Sequence, residues 1–482
     1  MAGNKAFVFN SFTSISDFEN TGIRGAFKMG IALNVRKRVD SLSCNQALVD
    51  IDNPSSRVID QIVYFQVPAS DGNTYLFGTS KIWQLASNGT ITLKYTDPDG
   101  GICGAEEWAQ SNGKSYLFWQ TATKLKSKEI PGNSTWATDV NADIVIGSTH
   151  YTYPKTNLTS TTWHTSKVAN GALIIANKDK LAFVAYDGSY TLEALQLVPG
   201  TVAKTILDRN DYAIIGASSA TDALNAHIYS WQVGALTYID KKRIAAKEIN
   251  GMVDGAEVML IQADGDGELF FTDFVNTLPV ISFPYGGKVN PGGVVDDQGI
   301  MYFGVWNCTD TTKNGIYSYG RTKKNAAFAL NFEYPITCTE IGSLGVTAGL
   351  LHVAYKNNTD YRVYKVDTTT KQVATYYSLD RVAPIKLPHR SSVFPHIKLV
   401  TKKMPAGTSI AVKYRIDKDE AATADGWVSA QLMGDVVSSD VDNSVESVFR
   451  VGAKGNIIET QVILTPHQNA TPEVYRIEIP VM

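Results

Sequence analysis

One short pattern of apolar and polar residues recurs seven times along the chain. Each copy consists of an apolar run, a polar turn and a second apolar or aromatic run. The first runs occupy residues 75–78, 116–119, 172–175, 212–215, 258–261, 301–304 and 350–353. Consecutive copies start 40 to 56 residues apart. A period of this length, carried by short apolar runs, is typical of the blades of a β-propeller.

The first copy shows how many strands a repeat holds. Its apolar runs predict four strands, over residues 61–67, 74–78, 81–85 and 90–95. Gly72, Asn73, Asn88 and Gly89 stand between them, and these residue types tolerate the positive φ of tight turns. Runs that are apolar throughout indicate strands covered on both faces. We therefore predict an all-β fold in which residues 57–382 form a seven-bladed β-propeller of four-stranded blades.

The longest step between copies contains an insertion rich in Tyr, Thr and Pro, over residues 136–163. Insertions in propellers become loops on one rim, where ligands often bind. The candidate ligand residues are His150, Tyr151, Tyr153 and Trp163. A loop without a binding role is the other interpretation, and the sequence favours neither.

The spacing of the apolar runs changes after a stretch with two prolines at residues 383–388. Shorter apolar runs follow at 397–401, 409–416, 445–451, 457–464 and 474–479. Several short strands separated by turns are typical of a β-sandwich. We predict a C-terminal β-sandwich over residues 383–482.

Residues 1–56 precede the repeats. We predict that they form an extended N-terminal leader that acts as a docking arm. Apolar side chains at alternate positions there are Phe27, Met29, Ile31, Leu33 and Val35. Burying five such side chains gains about 8 to 15 kcal/mol, and ordering the stretch costs roughly 1–2 kcal/mol per residue. The strand should therefore order only against a partner sheet, either the propeller or a neighbouring subunit. The basic run Arg36, Lys37 and Arg38 either contacts an acidic partner or is a solvated charge run.

Composition narrows the class of partner. The chain has 482 residues, enough for two or three domains, and a net charge of −3 with 19% charged residues. Such a balance gives no long-range attraction to nucleic acid, and no apolar run is long enough to insert into a membrane. Residues 1–7 lack the charged and apolar regions of a signal peptide, so we expect synthesis in a cytoplasm.

The four cysteines do not indicate a metal site. They are Cys44, Cys103, Cys308 and Cys338, and none forms a Cys-x-x-Cys pair. Structural zinc is therefore not expected. A Cys308–Cys338 disulfide and free buried thiols both remain open.

Catalytic signatures are not found in the sequence. The seven histidines lack the spacings of metal ligands, and there is no nucleophile elbow or phosphate-binding loop. We predict no catalytic residues, no cofactor and no enzymatic activity. Asp264, Asp266 and Glu268 form a candidate calcium site, but they also suit a polar hairpin turn.

Two pairs of neighbouring carboxylates raise the question of glycoside hydrolysis, which needs two carboxyl groups across a cleft. The pairs are Glu106–Glu107 and Asp296–Asp297. Adjacent residues on a strand point to opposite faces, so neither pair suits that geometry. We expect these acids to be exposed at turns or strand ends.

Both ends of the chain resemble known proteins. Residues 22–30 (GIRGAFKMG) and 33–44 (LNVRKRVDSLSC) resemble the start of structural proteins of tailed bacteriophages, which join a leader to a propeller. Residues 397–401 (IKLVT), 404–408 (MPAGT) and 412–417 (VKYRID) resemble a sandwich module near the end of phage tail and minor virion proteins. In between, only the architecture is similar.

The resemblance implies a virion component synthesised in the host cytoplasm and placed in the tail tip, baseplate or adsorption apparatus. Its leader would dock into the particle while the propeller or the sandwich faces outward. The implied partners are other virion and tail proteins, further copies of the chain, and a host-surface glycan or protein. The alternative is a glycan-binding or glycan-hydrolysing propeller that acts through its central channel or the 136–163 loop. A cellular scaffold is a third reading, but the chain lacks WD and kelch signatures.

Overall fold

The computed structural model describes most of the chain. The residues outside the described part are 1–4, 10–13, 16–25, 28, 32–40, 53–55, 132–135, 210, 222, 256–258, 275, 284, 321–327, 379–391, 418–425, 434–436, 439–443 and 457. The described residues are almost entirely β, in many small antiparallel sheets. They form two compact units. One contains Met1–Val49, Tyr317–Pro335 and Val366–Met482, and the other contains Asp50–Ile316 and Ile336–Lys365.

Five strands precede the repeats. They are β1 (Lys5–Phe9), β2 (Ser14–Ile15), β3 (Ala26–Phe27), β4 (Met29–Ile31) and β5 (Gln46–Asp50). The short strands β2 and β3 pair with each other in parallel.

The repeats form small antiparallel sheets, which we number along the chain. Sheet 1 is β6 (Phe65–Pro68), β7 (Thr74–Phe77), β8 (Lys81–Leu85) and β9 (Ile91–Thr96). Sheet 2 is β10 (Gly104–Ala109), β11 (Ser115–Gln120) and β12 (Leu125–Ile130). The insertion then carries a short helix α1 (Trp136–Asp139) and a hairpin of β13 (Ile144–Ile146) and β14 (Thr149–Tyr151). Sheet 3 is β15 (Ser166–Ala169), β16 (Ala172–Asn177), β17 (Lys180–Val184) and β18 (Tyr190–Gln196).

Four more sheets follow in the described part of the chain. Sheet 4 is β19 (Thr201–Arg209), β20 (Tyr212–Ser219), β21 (Ala226–Trp231) and β22 (Asp240–Ile244). Sheet 5 is β23 (Ile249–Asp254), β24 (Met259–Ala263), β25 (Glu268–Thr272) and β26 (Thr277–Ser282). Sheet 6 is β27 (Val294–Asp297), β28 (Ile300–Val305), β29 (Gly315–Gly320) and β30 (Ala329–Pro335), with a 3-10 turn at Thr311–Lys313. Sheet 7 is β31 (Glu340–Thr347), β32 (Leu350–Asn357), β33 (Asp360–Lys371) and the leader strand β5.

The strands predicted for the first repeat are confirmed, except that the first begins at Phe65 rather than at residue 61. In each of its two hairpin turns, a backbone N–H group donates to the side chain two residues earlier. Asn73 donates to Asp71, and Thr90 donates to Asn88. These bonds close the two hairpins, since a side-chain acceptor two residues earlier stabilises a turn.

Neighbouring sheets pack face to face. Separate apolar clusters join sheet 7 to sheet 1, sheet 1 to sheet 2, sheet 2 to sheet 3, sheet 3 to sheet 4, and sheet 4 to sheet 5. A Cβ atom on Gly251 of sheet 5 would lie 2.8 Å from Val294 of sheet 6. One on Gly304 of sheet 6 would lie 2.6 Å from Ile341 of sheet 7. Each sheet is therefore covered by its neighbours, as stacked repeats require.

Strand β5 links the last sheet to the first. It is the outer strand of sheet 7, and the chain continues from it into sheet 1. Directly after it, Ile51 N–H donates to the carbonyl oxygen of Val363 at 3.0 Å. The carboxylate of Asp52 accepts the backbone N–H groups of Val58 and Ile59. These bonds turn the chain from the outer strand of sheet 7 toward the start of sheet 1.

The insertion covers the outer edge of sheet 2. Leu125 of β12 and Lys155 exchange two backbone hydrogen bonds, of 2.8 and 2.9 Å. Under this cover the Lys126 side chain is only 3% exposed. Its Nζ lies 2.5 Å from Asp97 Oδ1 and also pairs with Asp99. Asp97 Oδ2 also accepts Trp119 Nε1–H at 2.7 Å. Strand β12 is therefore held by a buried ion network.

Substituting Asp97→Asn should lower the free energy of unfolding by about 3 kcal/mol, because Lys126 would stay buried without its main counter-charge. The control is Lys114→Gln, which breaks the exposed pair Lys114–Glu129 and should cost less than about 1 kcal/mol. Urea denaturation of both variants checks this. Equal losses in the two variants would contradict a buried network.

The remaining strands build two sheets of the other unit. They are β34 (Ala374–Ser378), β35 (Ser392–Lys402), β36 (Ser409–Ile416), β37 (Val428–Ser429), β38 (Gln431–Leu432), β39 (Val437–Ser438), β40 (Ser444–Gly455), β41 (Ile458–Thr465) and β42 (Val474–Val481). One sheet has the order β1-β42-β35-β40-β38, with β39 beside β40, and the other has the order β37-β36-β41-β34-β4. Side chains of both sheets form one apolar core. The five C-terminal runs predicted as strands are confirmed.

The leader strand with an apolar face finds its partner in this second sheet. Met29 and Ile31 of β4 lie opposite Tyr377 and Thr375 of β34. The sequence had offered the propeller or a neighbouring subunit, whereas the partner is a C-terminal sheet of the same chain. The side chains of Phe27, Met29 and Ile31, and all of 33–38 (Leu33, Val35, Arg36, Lys37 and Arg38), lie outside the described part. Their docking role and the boundaries at 56 and 382 stay predictions.

Candidate functional site

A cavity of about 420 Å³ lies where the first strands of sheets 1 to 7 converge. Strands β6, β10, β15, β19, β23, β27 and β31 all contribute residues to its wall. The whole wall belongs to the compact unit formed by Asp50–Ile316 and Ile336–Lys365. A concave, mixed polar and apolar pocket of this size is the usual setting for a ligand.

From each first strand we take one wall residue that pairs with a buried residue of the second strand, and we call these seven residues the ring: Phe65, Glu106, Ser166, Ile206, Met252, Val294 and Leu344. They do not all lie on the same face, since Phe65 packs toward the next sheet whereas Ile206 and Met252 pack toward the preceding one. Each lies opposite a buried residue of its second strand, in order Phe77, Phe118, Ile175, Ile215, Ile261, Phe303 and Val353. Five ring residues are apolar, and Glu106 is the ionisable one among the seven. A carboxyl group thus lies on a wall whose other ring residues are mostly apolar.

Lys167 of the next sheet compensates Glu106. Its Nζ lies 3.2 Å from Glu106 Oε1, and both side chains line the cavity. Burial raises the pKa of Glu106, with Lys167 acting in the opposite direction. The carboxylate of Glu106, and then Asp208, raise the pKa of Lys167 against the effect of burial. Each charge of the pair therefore stabilises the other, although both side chains are partly exposed, Glu106 by 21% and Lys167 by 45%.

Two further side chains belong to residues of the wall. Gln66 packs against sheet 7, where its Nε2–H donates to Ser343 Oγ at 3.2 Å and its Oε1 is buried without a partner among the described residues. Burial raises the pKa of Asp296, and the neighbouring Asp297 and Asp254 raise it further. The wall thus combines the Lys167 ammonium group with the carboxyl groups of Glu106 and Asp296.

The candidate residues of the insertion lie in different surroundings. His150 is exposed, with Nδ1 3.7 Å from Asp143 Oδ2. Tyr153 is 4% exposed, and its cluster lies between sheets 2 and 3. Tyr151 packs beside that cluster, whereas Trp163 packs beside the one between sheets 1 and 2. Only Trp163 comes near the ring, with its indole 6.0 Å from Phe65. The binding role of these four residues stays a prediction.

The calcium candidates lie at the hairpin between β24 and β25. Asp264 Oδ1 accepts the backbone N–H groups of Lys247 and Glu248 at 2.9 and 2.8 Å. Asp266 forms a bridge with Gly287, and Glu268 opens β25. Across the described residues, no group of three or more His, Cys, Asp or Glu side chains gathers into a metal site.

The carboxylate pairs behave only partly as expected. Glu107 accepts the backbone N–H of Ser70 at 2.9 Å, away from the cavity, so neighbouring acids do point to opposite faces. The expectation of exposed acids at turns or strand ends is confirmed for Asp296, which is exposed next to the end of β27 and whose Oδ2 accepts the backbone N–H of Gly299 at 3.4 Å. It was wrong for Glu106, which lies within β10, is 21% exposed and lines the cavity. The sequence carried no signal for Glu106, because it does not show which face of a first strand turns toward the cavity.

All four cysteines are buried and carry thiols rather than disulfides. Burial raises the pKa of Cys103, Cys308 and Cys338 to about 12. The structure thus matches the free-thiol alternative for Cys308 and Cys338. Thiols with so high a pKa are poor nucleophiles at neutral pH.

No protein-family model and no curated protein matches this chain. Among solved structures, it is similar to the RRP9 WD40 repeats at 10% identity and a TM-score of 0.45, over 66% of this chain and 96% of that one. It is also similar to the extracellular domain of the two-component system BT4673 of B. thetaiotaomicron. That match has 12% identity and a TM-score of 0.45, over 72% of this chain and 42% of that one. A chain of the Mitotic Checkpoint Complex matches at 9% identity and a TM-score of 0.46, over 67% and 95%. The fold is all-β, in many small antiparallel sheets.

Helices in the described part are few and short, and none has the length and apolar character that a bilayer crossing needs.

Replacing Lys167 by Met should remove the group that lowers the pKa of the Glu106 carboxyl and so raise that pKa further. A carboxyl group whose folded-state pKa lies above the ordinary 4.5 destabilises the fold as pH rises through that range. The free energy of unfolding of Lys167→Met should therefore fall below that of the Lys167→Met/Glu106→Gln double variant near neutral pH, by at most about 1 kcal/mol because water partly screens the pair. Near pH 4 the two should agree. A difference that does not change with pH in denaturation experiments would contradict this account of the pair.

Proposed function

We propose that this chain is a non-enzymatic structural component of a bacteriophage virion, where it mediates assembly and contacts the host surface. Its place is the tail tip, the baseplate or the adsorption apparatus. The observation that carries the proposal is the common core shared by the two stretches that resemble virion proteins.

Those stretches lie at opposite ends of the chain but pack together. Leu42 and Val474 exchange two backbone hydrogen bonds, of 2.8 and 2.9 Å. Leu42 and Cys44 are fully buried in the same core as Leu399 and Val412. The described residues of these two stretches, 41–44 and 397–417, thus contribute to one module. This supports the proposal, because the resemblance concerns both ends and the folded ends form a single unit.

The repeats are proposed to be seven blades of a closed β-propeller, with the two-sheet module as the β-sandwich. Support comes from the contacts between every pair of successive sheets and between sheet 7 and sheet 1. Ser343 Oγ–H donates to the carbonyl oxygen of Val63 at 2.9 Å across that last junction. Strand β5 then closes sheet 7 from the leader side. In sequence, the repeats stand between the two halves of the sandwich.

The non-enzymatic part of the proposal is supported by the state of the acid–base side chains. Glu106 is bound to Lys167. Both ring nitrogens of His164 contact backbone carbonyl oxygens, of Ala176 at 2.6 Å and of Ala122 at 3.0 Å. Burial lowers the pKa of His164 and His352. Groups engaged in this way hold the structure together rather than exchange protons with a substrate.

Purified particles provide the test. Mass spectrometry should detect the full chain at a fixed copy number per particle. Deletion of residues 1–36 removes β1 and β4, which pair with β42 and β34. The truncated chain should therefore be missing from particles, while sheets 1 to 7 stay folded by circular dichroism.

Two further variants make the result specific. Replacing Arg36, Lys37 and Arg38 together by Glu keeps the strands and should also reduce incorporation. Glu107→Gln changes a residue outside the proposed docking arm and should be incorporated at the parental level. Normal incorporation of the truncated chain, or absence of the full chain from particles, would overturn the proposal.

A further inference from the structure

We propose that the outer edge of sheet 4 docks an acidic, extended segment of a partner protein. The docking surface, which we call the outer patch, consists of Leu236, Ile239, Lys241 and Arg243. All four residues are exposed, and they belong to strand β22 and the loop that leads into it. The inference goes beyond the proposed place in a particle and does not depend on it.

Three residues of the outer patch lie along one face of the sheet. Strand β22 pairs with β21 over five residues without a register shift, so its side chains alternate regularly. Ile239, Lys241 and Arg243 occupy every second position, and the backbone N–H of Ile239 continues the pairing by donating to the carbonyl oxygen of Ser230 at 2.8 Å. Their side chains therefore follow one another at intervals of about 7 Å, which is also the interval between same-face side chains of an extended partner.

The loop before β22 is anchored, yet it presents an apolar side chain to water. Trp231 Nε1–H donates to the carbonyl oxygen of Ala235 at 2.9 Å. Tyr238 packs edge-on against Tyr229, with ring centroids 5.0 Å apart. Leu236 is nevertheless 93% exposed. Because the loop is already held in place, a partner that covers this leucine gains apolar burial without the cost of ordering the loop.

The two cations of the outer patch form no ion pair with the described residues. Lys242, at the position between them, does have a counter-charge, since its Nζ lies 3.3 Å from Asp240 Oδ2. Arg243 instead donates two N–H groups to the backbone carbonyl oxygen of Leu224, at 3.2 and 2.8 Å. This contact fixes its guanidinium group without neutralising it. Lys241 and Arg243 are therefore available to acidic groups of a partner.

A buried histidine below the outer patch responds to these charges. His227 lies opposite Arg243 in the sheet and is 6% exposed. Burial lowers the pKa of His227, and the charges of Lys241 and Arg243 lower it further, against the effect of a hydrogen bond with the backbone of Asn225. An acidic partner bound to both cations should offset their effect and raise the pKa of His227.

Charge also decides between the possible partners. Two copies of the outer patch would bring like charges together, which destabilises strand pairing. Lysine on an edge strand protects it against pairing with uncharged strands as well. Anionic lipid surfaces are typically bound by clusters of about four to eight basic residues, more than the outer patch offers. In an extended acidic segment, two acids two residues apart can face Arg243 and Lys241 while an apolar residue faces Ile239.

The test is fluorescence anisotropy of the full chain with the labelled peptide Gly-Glu-Thr-Glu-Thr-Val-Thr, whose glutamates and valine stand at alternate positions. It should bind with a Kd below about 1 mM. A peptide with lysine in place of glutamate should bind at least about tenfold more weakly. Raising the salt concentration from about 50 to about 500 mM should weaken binding of the acidic peptide about fivefold or more. The pKa of His227, measured by NMR, should rise when the acidic peptide is bound.

Variants locate the site. Lys241→Glu and Leu236→Ser should each weaken binding of the acidic peptide about tenfold or more, since one reverses a charge and the other removes apolar surface. The matched controls are Lys94→Glu and Leu93→Ser on β9, the outer strand of sheet 1, and both should bind like the parent. Near-UV circular dichroism checks that the variants fold. Leu236→Ser keeps the test valid if Lys241→Glu does not fold, because that leucine is almost fully exposed.

Three results would overturn the inference. These are no binding of the acidic peptide up to about 5 mM, equal losses in the control variants on β9, or binding to phosphatidylserine vesicles that Lys241→Glu abolishes while the peptide does not bind. The last result would assign the outer patch to a membrane surface instead. The outcome is independent of the particle experiment. A chain found in particles that does not bind the peptide refutes this inference only, and a chain that binds the peptide but is missing from particles refutes the virion proposal only.

Discussion

The structure depends on the mutual burial of neighbouring sheets. A small sheet with two apolar faces is unstable in water, so each needs a neighbour on both sides. Strand β16 shows this within a few residues. Leu173 and Ile175 belong to the cluster shared with sheet 2, while Ile174 and Ala176 belong to the cluster shared with sheet 4. Because the side chains of a strand alternate, β16 of sheet 3 packs against both sheet 2 and sheet 4. Burial of each sheet between two neighbours brings the first strands together around the cavity.

The candidate site is a consequence of that arrangement. Glu106 and Lys167 are 61 residues apart in the sequence and lie on different sheets, yet their side chains meet at the cavity wall. An ionised carboxylate among apolar neighbours is tolerated only with a partner, which the adjacent sheet supplies. The pair therefore links the packing of sheets 2 and 3 to whatever chemistry the cavity performs. The same logic explains Lys126, whose partner Asp97 lies beyond the end of sheet 1.

The sequence predicted what depends on local periodicity and missed what depends on pairing. The strands of sheet 1 and the five C-terminal runs follow from the alternation of apolar residues. The partner of a strand does not, because periodicity identifies a face but not the sheet that covers it. For this reason β4 and β5 were placed only when the fold was known. Glu106 was missed as a site residue for a related reason, since the alternation of a strand does not show that one of its faces turns toward the cavity.

An experimental density map of the full chain, by crystallography or cryo-electron microscopy, tests the central claim most directly. The account predicts that β6, β10, β15, β19, β23, β27 and β31 surround one cavity. It also predicts that Glu106 and Lys167 lie within hydrogen-bonding distance on its wall. An open row of sheets without a common cavity, or a Glu106 side chain that extends into bulk solvent, would contradict it.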